Sequence, residues 1–162
     1  MAENALPKTA YSTILFCTDF SENADFAFPF AVDAALRRPG STLALLHVIP
    51  EIESQFWKTY IYEVEAVDTK AKQDIDAKIG QVYRPRLPEG LAMQVEIRIG
   101  KDSQEILRFA REIKADLIVM GRQGSGGTLQ KTLFGDVAEI VVRKADCAVL
   151  TVPLSYRRWH EE

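Results

Sequence analysis

The chain is poor in the residues that build most catalytic and metal centres. Its 162 residues include only two cysteines and two histidines. Cys17 and Cys147 form no CxxC pair, and His47 and His160 lie far apart, so a zinc site or a histidine-centred triad lacks its material. No run of 18 apolar residues occurs, which argues against a transmembrane helix. The opening MAENALPKTA lacks the basic-then-apolar layout of a secretory signal, so the cytoplasm is the expected compartment. Twenty basic against 23 acidic residues leave a net charge of -3, too slight to mark nucleic acid or a membrane surface as the partner. What is present is ordinary globular material, 47% hydrophobic and 27% charged. A chain of this length buries about two-thirds of its surface and needs no covalent staple. One domain over 1–162 is expected, with a core from about 12 to 153 and a tail over 154–162.

Four apolar runs are continuous: Ile14 to Cys17, Leu43 to Ile49, Leu117 to Met120 and Cys147 to Val152. Runs of that kind read as strands buried on both faces. A fifth segment, Met93 to Ile99, alternates apolar with polar and reads as a strand with one wetter face near a sheet edge. Helical patterns fall between them. Ser21 is placed to cap the first, whose stripe is Ala24, Ala27, Phe28, Ala31 and Ala35. Pro29 inside it should kink it or delay its start. The second carries Val64, Val67, Ala71, Ile75, Ile79 and Val82, a mean step at the helical period. The third opens with Asp102 and Glu105 in capping-box spacing, then presents Ile106, Phe109, Ala110 and Ile113. The fourth spans about Gly135 to Lys144, with Val137, Ile140 and Val141 inward. Strands alternating with helices imply parallel pairing and right-handed crossovers, hence a doubly wound α/β sheet.

Between the second strand and the second helix, Glu51 to Tyr62 holds Phe56, Trp57, Tyr60 and Tyr62 and reads as a lid packing over the sheet or as a flap that contacts a ligand or partner. The most informative stretch is GRQGSGGTLQKTLFGD, Gly121 to Asp136, where five of the chain's nine glycines fall. Glycine lets a ligand approach the backbone closely, and successive amides in such a loop form an anion nest. The helix that starts near Gly135 adds its positive end, completing a phosphate cradle without a catalytic side chain. The loop is not a Walker A motif, since Gly126 is followed by Gly127 and Thr128 and the phosphate-binding lysine is missing. The GxGxxG dinucleotide fingerprint is absent as well.

The chain resembles the universal stress protein family. The likeness rests on ILFCTDFSENA, LLHVI, IRIGKDSQEIL and LIVMGRQGSGGTLQKTLFGDVAEIVVRKADCAVLTVP, and covers about Ser12 to Pro153. The resemblance implies a five-stranded parallel sheet of order 3-2-1-4-5 with helices on both faces, an adenine nucleotide alpha-hydrolase-like fold. It also implies a cytoplasmic dimer and, in one subclass, ATP or a related adenine nucleotide held by a G-x2-G-x9-G-[ST] motif, with Mg²⁺ as a possible companion. Carried over by position, Cys17 and Val48 would lie on the adenine side and Asp19 at the ribose or adenine end. Gly121, Gly124 and Gly135 would line the phosphates, and Met120, Arg122 and Asp136 complete the nucleotide-binding set. In that strand order Asp19 and Gly121 both follow carboxyl ends of neighbouring strands at the topological switch point, where α/β ligands bind.

This sequence departs from the motif twice. Ten residues separate Gly124 from Gly135, and Asp136 stands where the motif has Ser or Thr. A carboxylate about 4 Å from a phosphate at an effective dielectric of 20 costs about 4 kcal/mol, roughly a thousandfold in affinity. Arg122, Lys131 or a bridging Mg²⁺ would offset that cost, and an Asp136 turned to solvent would suit a helix N-terminus. Three functions are therefore weighed: an adenine-nucleotide-binding regulatory dimer, a ligand-free interaction dimer of the same fold, and a weak hydrolase with Mg²⁺ at Asp19 or Asp136. The first is expected, without enzymatic turnover beyond incidental hydrolysis. His47 reads as a satisfied core histidine, Cys17 and Cys147 as buried free thiols, and Asp116 and Asp146 as structural. The edge strand Ala148 to Val152 invites pairing with a second copy.

Overall fold

Each expected strand is present and each pairing is parallel. The computed structural model describes residues 11–51, 64–123 and 135–156. Strands β1 (Thr13–Cys17), β2 (Thr42–Pro50), β3 (Met93–Gly100), β4 (Leu117–Gly121) and β5 (Ala148–Val152) form one sheet of order β3-β2-β1-β4-β5. Helices α1 (Glu22–Leu36), α2 (Val64–Val82), α3 (Asp102–Glu112) and α4 (Asp136–Lys144) alternate with them. Among the described residues no helix is long and apolar enough to cross a membrane.

The sheet is buried on both faces because residues 14–17 of β1, 43–46 of β2 and 117–120 of β4 are apolar at every position. Ile14, Phe16, Leu43, Leu45, Leu117 and Val119 face one way and meet Ala27, Phe28 and Ala31 of α1 and Ile79 of α2. Leu15, Cys17, Leu46, Val48, Ile118 and Met120 face the other and meet Ile106, Phe109 and Ala110 of α3 and Val141 of α4. Period-two alternation thus delivers two cores from one run of residues. The edges behave differently. β3 is half-buried along most of its length, as its alternation suggests. β5 was expected to be buried on both faces, and it is not: Ala148 and Leu150 are exposed. A continuous apolar run reports covering only where neighbours flank both sides, and β5 has a strand on one side alone.

Local chemistry explains most helix ends. Ser21 caps α1, its hydroxyl accepting from the Ala24 amide at 3.1 Å. Pro29 neither delays nor divides α1, which runs unbroken from Glu22. Proline has no amide to offer the carbonyl four residues back, and Arg86 Nη2 donates to that Asp25 oxygen at 3.0 Å instead. At α3 the expected capping box does not form. Lys101 is the N-cap without a side-chain bond, and Asp102 is already inside the helix. Glu105 is drawn into ion pairs with Arg108 at 2.6 Å and Arg98 at 3.5 Å. An ion pair within α3 and a second one across to β3 thus take Glu105 in place of the local cap.

Three side readings from the sequence hold, the first in part. Both cysteines are free, Cys17 buried as expected and Cys147, next to the edge strand, only half-buried. Asp146 pairs with Arg111 at 2.8 Å. Asp116 closes the amino end of the sheet, one carboxylate oxygen accepting from the Ser12 and Thr13 amides, each at 2.9 Å. These bonds tie the start of β1 to the start of β4, on the side remote from the carboxyl ends. Asp116→Ala removes both bonds and leaves the amides to water, a loss of about 0.5–1.5 kcal/mol. Urea unfolding of that variant should show a lower midpoint at unchanged slope.

Candidate functional site

At the carboxyl ends of the neighbouring strands β1 and β4 the chain leaves toward opposite faces of the sheet. β1 continues into α1 on the Phe16 face, whereas β4 continues toward α4 on the Leu15 face. Diverging connections leave a crevice between them, the ligand position of doubly wound sheets. Phe16 pairs with Val119, so Asp19 and Gly121 emerge at the same end of the sheet.

Three of the residues assigned to the site lie together on one face. Cys17, Val48 and Met120 belong to the same apolar cluster, each less than a tenth exposed. They end β1, β2 and β4 on the α3/α4 side. Burial pushes the Cys17 thiol well above its ordinary pKa, so it contributes an uncharged apolar wall. Asp19 is exposed at the strand end, and its carboxylate accepts from the Ser21 amide at 2.9 Å.

Gly121 ends β4, and its missing side chain has a structural cause. A Cβ there would lie 2.9 Å from Asn23 Cγ and 3.0 Å from the Asn23 backbone carbon. The glycine admits α1 rather than a ligand at that point. Asn23, 6% exposed, uses the approach fully. Its Nδ2 donates to the Val152 carbonyl at 2.7 Å, and its Oδ1 accepts from the Gln123 amide at 2.9 Å. The Arg122 amide donates to the same Val152 oxygen at 3.0 Å, and the Gly135 amide donates to the Arg122 oxygen at 2.8 Å. Both described roots of the glycine loop are thus pinned to each other, to β5 and to α1. Gly124, Lys131 and the rest of the loop lie outside the described residues, as do Phe56, Trp57, Tyr60, Tyr62 and the tail beyond Tyr156. Tyr156 itself packs its ring against Phe30 at 5.2 Å.

Gly135 is the N-cap of α4 and Asp136 its first helical residue, exposed, with Glu139 also in the first turn. Acidic groups at a helix N-terminus are favourable for the helix, and they occupy the end that would otherwise attract phosphate. The half-buried Arg122 is the cation nearest the loop root, and among the described residues its Nε finds no hydrogen-bond partner. No group of three His, Cys, Asp or Glu is placed to hold a metal among the described residues.

Asn23 was missed from the sequence, though a signal existed. It sits four residues before Ala27 and eight before Ala31, a polar residue at the spacing of the buried stripe. Its amide faces one donor and one acceptor, which suits asparagine and no apolar residue. His47 is the satisfied core residue expected. It is 9% exposed, and its Nδ1 donates to the Thr18 carbonyl at 2.7 Å.

Comparison with known proteins agrees with this fold. The model of the universal stress protein family matches residues 10–153. A Staphylococcus saprophyticus protein named for that family is 30% identical over 146 residues, covering 88% of this chain and 83% of its own. The solved structure of the protein MJ0577 has 27% identity and a TM-score of 0.76, covering 90% of this chain and 97% of that one. A universal stress protein from Archaeoglobus fulgidus solved with dAMP shares the fold at 22% identity and a TM-score of 0.58, covering 88% and 98%.

The Gly121–Asn23 contact yields a direct expectation. Gly121→Ala forces α1 away from β4, a strain of about 1–3 kcal/mol. Calorimetry should record a lower melting temperature, and an unchanged value would show that the contact is looser than the geometry implies.

Proposed function

The chain belongs to the universal stress protein family, and on that footing we propose that it binds an adenine nucleotide in the crevice between β1 and β4 and acts by state-dependent docking rather than by turnover. The observation that supports this most is the convergence at one sheet end of three elements: the apolar wall of Cys17, Val48 and Met120, the exposed Asp19 turn, and the pinned root of the glycine loop. The wall suits a purine face. Asp19 suits sugar or base donors. Arg122, Gln123 and Gly135 border the place for phosphate. The related structures solved with cAMP and dAMP point to ligands of the same class. Any Mg²⁺ would arrive with the phosphates, since the described carboxylates form no metal cage. Action in the cytoplasm belongs to the same proposal.

Asp136 shapes which nucleotide is preferred. It is exposed, so water screens it and the opposition to a nearby phosphate lies closer to about 1 kcal/mol, the value in bulk water, than to the figure at a dielectric of about 20. A second reading, an interaction dimer without ligand, draws on Asp136 and Glu139 filling the positive end of α4. Calorimetric titration with ATP, ADP, AMP and cyclic AMP separates the two, since the second reading yields no binding heat. Under the first, Asp136→Ser should raise ATP affinity severalfold to tenfold and AMP affinity less. An ATP affinity that stays level or falls would sink the electrostatic account of that position.

The homodimer is proposed through β5. Its outer edge has no strand partner in the sheet, Leu150 is 38% exposed and Val142 of α4 is 48% exposed. An apolar, unpaired edge is stabilised by pairing with its own copy across a twofold axis. Light scattering should give about twice the 18.2 kDa chain mass. Leu150→Lys should return the protein to monomer, and a monomeric parent would refute the edge-pairing model.

A further inference from the structure

The turn that presents Asp19 is held in a conformation its own residues do not favour. Phe20 has φ +61°, the left-handed region that bulky side chains rarely adopt. Such a residue persists only where its surroundings over-determine it, and an observed outlier of this kind beside a candidate site invites a functional reading. Here the surroundings come from two distant elements.

Thr18 is fixed at every polar atom. Its amide donates to the Leu46 carbonyl at 3.0 Å, and its carbonyl accepts from His47 Nδ1. Its hydroxyl accepts from the Phe20 amide at 2.9 Å and meets the Tyr83 hydroxyl. The Tyr83 hydroxyl donates to Asp25 Oδ1 at 2.5 Å. Its single proton is therefore spent on Asp25, so the Thr18 hydroxyl must be the donor to Tyr83. One directed chain results: Phe20 amide to Thr18, Thr18 to Tyr83, Tyr83 to Asp25. Tyr83 follows α2 and is fully buried. Burial and the Asp25 contact hold its pKa far above the ordinary tyrosine value, so it stays a donor. The Phe20 ring is gripped as well, with the His47 ring at 4.8 Å, the Tyr83 ring at 5.9 Å and Lys78 Nζ 4.2 Å from its centre.

We propose that Tyr83, with His47, is a positioning residue for the nucleotide site: through Thr18 it locks the left-handed Phe20 and thereby sets where Asp19 meets the ligand. The inference rests on the nucleotide reading above. It assigns to Tyr83, just after α2, a share in ligand affinity although it lies outside the residues assigned to the crevice.

A double-mutant cycle tests it. Tyr83→Phe keeps the ring against Phe16 and Phe28 and deletes only the hydroxyl. AMP affinity by calorimetry should fall about tenfold in the parent and less than twofold in an Asp19→Ala background, the coupling expected when one residue acts through the other. Asp25→Asn keeps an acceptor for Tyr83 and should leave affinity near the parent value. Equal losses in both backgrounds, or no loss, would overturn the assignment. Amide hydrogen exchange of the unliganded protein supplies a second arm. Tyr83→Phe should speed exchange at Phe20 about tenfold or more, and an unchanged rate would also overturn it. A parent that binds no adenine nucleotide refutes the nucleotide reading, while the exchange arm still decides whether Tyr83 holds the turn.

Discussion

The parallel pairing of β1 with β4 is the constraint on which everything else depends. It sets side by side two strands distant in sequence, and right-handed crossovers send their continuations to opposite faces. The crevice is a consequence of chain direction before any side chain is considered. The apolar content of both strands then fixes the pairing, since Leu15 and Ile118 are fully buried on one face and Phe16 and Val119 on the other. A shift of one residue in either strand would exchange its two faces and mismatch both cores.

Given that crevice, the rest of the structure serves to hold its rims. On the β1 rim, the directed hydrogen-bond chain from Phe20 to Asp25 ties a left-handed residue to α1 and α2. Asp25 takes part twice, through its side chain to Tyr83 and through its carbonyl to Arg86, a bond made available by Pro29. On the β4 rim, Asn23 joins the loop root to β5. Asn23 and Asp25 lie two residues apart in the first turns of α1. One short helical segment thus anchors both sides of the opening, which makes the N-terminal part of α1 the mechanical centre of the site.

Much of this was legible in the sequence, and the failures share a cause. The inner strands were readable because burial on both faces demands apolar residues at each position. Ser21 was readable because its cap bond spans three residues. The edge strand β5 misled because the same apolar run serves an interior strand and a self-pairing edge. Asp102 and Glu105 misled because Arg98, near in space and distant enough in sequence to escape a local pattern, claims Glu105. Gly121 was read as room for phosphate, and its open side is taken by Asn23.

The sequence alone determined the α/β class, the strand order by way of family likeness, and the end of the sheet where Asp19 and Gly121 emerge. The class follows from periodicity and chain order, which are one-dimensional, whereas the strand order and the shared sheet end came with the likeness. Only the tertiary structure decided which polar groups hold the rims. Tyr83 reaches Thr18 across 65 positions and Asn23 reaches Val152 across 129. Bonds over such separations leave no trace in local spacing. They exist because helix packing brings the buried donors and acceptors together, where each one left unpaired would be costly.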